Sequence, residues 1–111
     1  MPHDLDTIFA ALSDPTRRAI LQALADGESA VSKLAEPFNM SLPAVHKHLG
    51  ILESAGLIST EKAGRIRTCK LEAEPMREAV SWLEFYSRFW DARLDALEHF
   101  IRQQKKNKKN K

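Results

Sequence analysis

Only one cysteine, Cys69, occurs in the 111 residues, which excludes an internal disulfide and a Cys-x-x-Cys metal pair. No run of 18 apolar residues is present, so no transmembrane helix is expected. The stretch "MPHDLDTIFA" lacks the basic-then-apolar order of a secretory signal, and a cytoplasmic location is expected. Four histidines (His3, His46, His48 and His99) offer candidate bases. No nucleophile elbow, phosphate-cradling glycine loop or paired catalytic carboxylates accompany them, so neither an enzyme nor a cofactor is expected.

What is present fits one globular domain. Apolar residues make up 43% and charged residues 29%, the balance of a folded soluble chain. The formal net charge of +2 hides its own distribution. Residues 41–71 hold five basic and two acidic side chains, and the closing "KKNKKNK" holds five lysines. Cationic character concentrated in two segments suggests an anionic partner.

Periodicity and caps divide the chain into elements. Ile8, Phe9 and Leu12 recur at helical spacing over residues 5–12. Asp14 is the expected N-cap of a second helix, with Pro15 at its first position and Asp26-Gly27 at its end. A short helix is expected from Ser29 to before Pro37. Ser41 caps a fourth helix, in which Leu42, Val45, Leu49 and Leu52 share one face and Gly56 is the stop. "LISTEKAGRIRTCKL" suits two strands, 57–62 and 65–71, around an Ala63-Gly64 turn. A long last helix is expected over 75–104, followed by a basic tail, 105–111, whose composition predicts disorder. The expected fold is mainly α with a small β-hairpin: a winged helix-turn-helix of four helices, a wing and a long C-terminal helix.

In a helix-turn-helix the second helix enters the major groove of double-stranded DNA. Pro43, Ala44, His46 and Lys47 lie at the entering end of the fourth helix, and Gly50 leaves room for close approach. Ser41 and His48 are candidate phosphate contacts. Lys62, Arg65, Arg67 and Lys70 surround the hairpin tip, where arginine suits phosphate or a narrow minor groove.

"FAALSDPTRRAILQAL", "SLPAVHKHLGILESAGLI" and "EKAGRIRTCKL" resemble the ArsR/SmtB family of bacterial winged-helix repressors. The resemblance covers about residues 4–71 and extends into the last helix. It implies repression by operator binding as a homodimer, with the first and last helices at the interface. It places DNA contacts on Ser41, Pro43, Ala44, His46, Lys47 and His48, with Arg65 on the wing.

Metal-responsive relatives carry a Cys-x-Cys-type motif in the third helix, and the matching "SAVSKLAEPF" has no cysteine. Others bind zinc on the last helix. Here Asp91, Asp95 and His99 stand at i, i+4 and i+8, a pattern open to a surface ion-pair cluster or a metal site. The aromatic-rich "WLEFYSRFWDARLDALEHF" resembles the non-metal members, so no metal is expected. Ile8, Phe9, Trp82, Phe85, Phe89, Trp90, Leu94 and Leu97 are the candidate interface residues. Residues 1–104 are thus expected to bind DNA and dimerise; the aromatic stripe is open to two readings, core and dimer packing or a pocket between subunits for an unidentified small-molecule inducer. The alternatives are a winged-helix protein-interaction module without DNA, and a metal-responsive repressor using the last helix.

Overall fold

The computed structural model describes residues 4–109, leaving the side chains of 90–95 and 106–109 outside the description. The order is α1 (Leu5–Leu12), α2 (Pro15–Ala25), β1 (Ser29–Ala30), α3 (Val31–Ala35), α4 (Leu42–Ser54), β2 (Ile58–Ala63), β3 (Ile66–Leu71) and α5 (Met76–Lys109). This is the expected winged helix-turn-helix.

Local chemistry sets the helix ends. Asp14 accepts a hydrogen bond from the Arg17 backbone N–H at 3.1 Å, which caps α2. That donor is the main reason the Asp14 carboxyl is held below its ordinary range. Ser41 does the same for α4, accepting from the Ala44 N–H at 3.3 Å. At the other end of α4, Gly56 N–H donates to the Glu53 carbonyl at 2.9 Å and Leu57 N–H to the Leu52 carbonyl at 3.0 Å. Those two bonds form a Schellman motif. Gly56 supplies the positive φ of 76° that it requires. Leu52 and Leu57, brought together by it, are both fully buried.

Three antiparallel strands lie in the order β1-β3-β2. In β2 and β3 one face carries Ile58, Thr60 and Lys62 opposite Leu71, Cys69 and Arg67. The inner part of that face joins the core and its outer end becomes cationic. Ile20, Leu24, Val45, Leu49 and Leu52 pack with Leu57 and Cys69 into one cluster. Each large aliphatic side chain so buried contributes about 1.5–3 kcal/mol. Burial also pushes the Cys69 thiol above its ordinary value, and nearby Arg67 partly offsets the rise.

By its packing the chain divides into two compact units, residues 1–79 and 80–111. In the second, α5 displays a broad aromatic surface. Phe85, Phe89, Leu97 and Phe100 are each more than half exposed. Tyr86 meets Trp82 and Phe85 at ring-centroid distances of 5.0 Å. The Arg88 guanidinium lies 4.7 Å from the Phe85 ring centre. Among the described residues no helix is long and apolar enough to cross a membrane.

The structure corrects the sequence reading at several points. Ser29 and Ala30 pair with Cys69 and Thr68 as a short strand and do not begin the third helix. The hairpin turns at Gly64-Arg65, one residue later than expected, with Gly64 at φ 64°. Leu42 is 52% exposed: at the first position of α4 it precedes the turn that packs on the core. Ile8 is fully buried within the chain, so it has no surface left for a partner. Helix α5 continues through residues 105–109, where disorder is expected from composition.

Candidate nucleic-acid interface

The buried stripe of Val45, Leu49 and Leu52 fixes the rotation of α4. The opposite edge therefore faces solvent. Ser41, Pro43, Lys47 and Gly50 are exposed there, flanked by half-buried Ala44 and His46. An ideal Cβ built on Gly50 meets no atom within 4 Å, so no contact inside the chain requires glycine.

The wing stands beside this edge. Thr60 on β2 donates to Glu53 on α4 at 2.7 Å, tying hairpin to helix. Lys62 and Arg67 sit directly opposite each other across β2 and β3. Like charges in that register destabilise an isolated hairpin, and an anionic partner would relieve the repulsion. Lys62, Arg65 and Arg67 are all exposed.

Helix and wing enclose an open groove of about 330 Å³, lined by Leu42 and His46 from α4, Arg65, Ile66 and Arg67 from the wing, and residues 30–32. The groove joins His46 to two of the four wing cations named from sequence, Arg65 and Arg67. Ile66, 61% exposed, and Leu42 add apolar walls. Neither stands out in the sequence as a surface residue, because both look like ordinary core aliphatics.

His48, expected among the DNA contacts, has a different neighbourhood and does not join the exposed edge of α4. It points to α2, with its Nδ1 3.2 Å from Arg17 Nη1 and 3.9 Å from Asp14 Oδ2. Only 19% of its side chain is exposed. Arg17 is the residue that reading the sequence missed. Its signal is the "DPTR" run at the α2 N-terminus, which the cap explains only as far as Asp14 and Pro15.

On α5, Trp82, Phe85, Phe89 and Leu97 are exposed, while Phe9 on α1 is half-buried. The candidate interface residues Trp90 and Leu94 lie outside the described side chains, as do Asp91 and Asp95. His99 Nε2 stands 3.4 Å from the Gln103 amide nitrogen, one turn along the helix. Among the described residues no three His, Cys, Asp or Glu side chains are grouped to hold a metal.

Comparisons with known proteins agree with this fold. Residues 12–61 match a helix-turn-helix domain family. The chain is 35% identical over 79 residues to the transcriptional repressor SdpR of Bacillus subtilis, covering 71% of this chain and 88% of the repressor. It is 36% identical over 96 residues to the HTH-type transcriptional regulator Rv2034 of Mycobacterium tuberculosis, covering 86% of this chain and 87% of that one. Among solved structures, an ArsR family transcriptional regulator superposes with a TM-score of 0.72 at 48% identity, over 78% of this chain and 96% of the other.

Proposed function

Since the chain belongs to the ArsR/SmtB family of helix-turn-helix transcriptional regulators, we propose that it is a repressor that binds a palindromic operator as a homodimer. The observation that carries this is the exposed edge of α4, Ser41 to Lys47, set beside a wing bearing Lys62, Arg65 and Arg67. Two copies of α4 would occupy successive major grooves, about 34–36 Å apart. The exposed aromatic face of α5 supports self-association, since a monomer rarely leaves so large an apolar surface to water. The name of one relative supports repression.

Within this reading residues have distinct tasks. Lys47 points directly away from the core and can bond the acceptor edge of guanine. Pro43, Ala44 and His46 shape the same reading edge. Ser41 stands at the helix N-terminus, where backbone N–H groups favour a phosphate. Arg65 and Arg67 act on phosphate or on the potential of the minor groove. Lysines 105–111 would add affinity without specificity, through counterion release. DNA binding would need no metal, because no cysteine pair is present for a soft tetrahedral site.

Two variants test the assignment. Lys47→Ala should cost about 1–3 kcal/mol of discrimination at one position per half-site. Arg65→Ala should weaken all duplexes alike and lower the salt slope by about one for each phosphate it no longer neutralises. Both are measured on a duplex selected from genomic fragments, on its single-base changes, and across a salt series. Unaltered base preference in Lys47→Ala would remove α4 as the reader.

A further inference from the structure

Arg17 joins three elements through its three guanidinium nitrogens. Its Nε donates to the Ala11 carbonyl at 2.7 Å and its Nη2 to the Ala10 carbonyl at 3.0 Å. Both carbonyls belong to the last turn of α1, where helix geometry leaves acceptors open to outside donors; that of Ala10 also accepts from the Ser13 N–H at 3.2 Å and the Ser13 hydroxyl at 2.6 Å. The third nitrogen, Nη1, reaches His48 Nδ1 on α4 at 3.2 Å. Arginine thus braces α1 and α2 against the helix that carries Lys47.

The brace imposes a chemical condition. A guanidinium only donates, so His48 Nδ1 must accept and its proton must sit on Nε2. Once the ring is protonated, both of its nitrogens are donors, and two cations meet at hydrogen-bond distance. The Asp14 carboxylate, 3.9 Å from the same Nδ1, then becomes the favoured partner. Arg17 and Asp14 therefore want opposite charge states of one ring. Both groups come from the start of α2. On the far side, where β2 packs, His46, Glu53 and Arg67 line a separate small cavity that His48 does not reach.

We propose that Arg17 is a positioning residue for the recognition helix, and that its hold requires a neutral His48, so that operator selectivity falls as pH drops. The proposal rests on the reading of α4 as the DNA-reading element. Imidazoles as a class change charge between about pH 5 and pH 8, and the measurement spans that window. Breaking the charged hydrogen bond should reduce selectivity by about tenfold. The selectivity in question is the ratio of affinity for a selected duplex to that for a random duplex of equal length. The ratio separates α4 placement from the general gain in DNA attraction that any protonated histidine, His46 included, would bring.

The experiment measures that ratio from pH 8 down to pH 5.5 for the full chain and two variants, with circular dichroism at each pH. His48→Gln keeps an acceptor for Arg17 and cannot titrate, so its ratio should stay high and flat. Arg17→Lys keeps the charge but cannot span three acceptors, so its ratio should be low already at pH 8. A pH slope that persists in His48→Gln, or a wild-type ratio in Arg17→Lys at pH 8, overturns the proposal. Nitrogen chemical shifts of His48 give a readout that needs no DNA. They should show the Nε2–H tautomer at pH 8, and the Nδ1–H tautomer would overturn the brace by itself. A folded protein with the Nε2–H tautomer but no preference for any duplex would instead refute the DNA-reading role of α4.

Discussion

Gly50 is a residue whose cost is visible inside the chain and whose benefit is not. Glycine in a helix interior costs about 1 kcal/mol relative to alanine, and here nothing crowds a Cβ. Gly50→Ala should therefore raise the urea midpoint by an amount equivalent to about 1 kcal/mol. If the bare backbone serves the close approach of DNA, the same variant should bind duplexes more weakly. Stabilisation with unchanged binding would assign the glycine no part in the interface. Cys69 shows the reverse case, a residue accounted for by burial. Its thiol should resist iodoacetamide in the native protein and react on unfolding in urea. Because its folded pKa is raised above the ordinary 9.0, its stabilising contribution is full below that value. The contribution is lost as pH rises through the folded value. Asp14 works with the opposite sign. Its lowered carboxyl pKa contributes stability above the ordinary 3.8 that disappears as pH falls through the folded value. The deficit of Asp14→Ala, read from urea unfolding, should therefore shrink in acid.

Elements differ in how much of them is local. Helices α1, α2 and α4 are legible from sequence because cap, proline and apolar spacing lie within each segment: Asp14 and Pro15 for α2, Ser41 and Pro43 for α4. Strand β1 is not. Two residues, Ser29 and Ala30, carry no strand signal of their own and become one only against β3. Leu42 follows the spacing of the buried stripe, yet position one of a helix projects beyond the core it heads. Arg17 and His48 stand 31 residues apart, and no local pattern announces such a pair. The hairpin is legible to within one residue, because alternation marks strands better than it marks the residue at which they turn. Gly64 carries the turn at φ 64°. Gly64→Ala should cost about 1 kcal/mol or more, and it should loosen the wing without unfolding the core. Hydrogen exchange at residues 62–67 would show this as faster exchange confined to the hairpin tip.

For the whole molecule the central expectation is self-association through α5. Replacing Phe85 and Phe89 together by aspartate should give a monomer mass by light scattering at micromolar concentration, with unit 1–79 still folded. Engaging one half-site in place of two linked ones should lower operator affinity by a factor on the order of 10². Wild-type melting should rise with protein concentration, as for any coupled assembly. A monomeric wild type with a concentration-independent melting point would end the dimer reading. Removal of residues 105–111 should lower affinity for selected and random duplexes by the same factor. A loss confined to the selected duplex would mean that this segment docks at a defined place.

The small strand β1 has one more consequence, and it concerns time. Ser29 and Ala30 close the sheet against Cys69 and Thr68, partners some forty positions further along the chain. During synthesis α1 to α4 leave the ribosome before those partners exist. Helical turns form in about a microsecond or less, whereas closing a long loop must first overcome its entropy. Helix α4 is therefore made early and anchored late: the α3–α4 pair is fixed to the sheet only when β3 emerges and ties the start of α3 to the wing. A nascent chain halted before residue 66 would carry α4 without the sheet that holds α3 beside it.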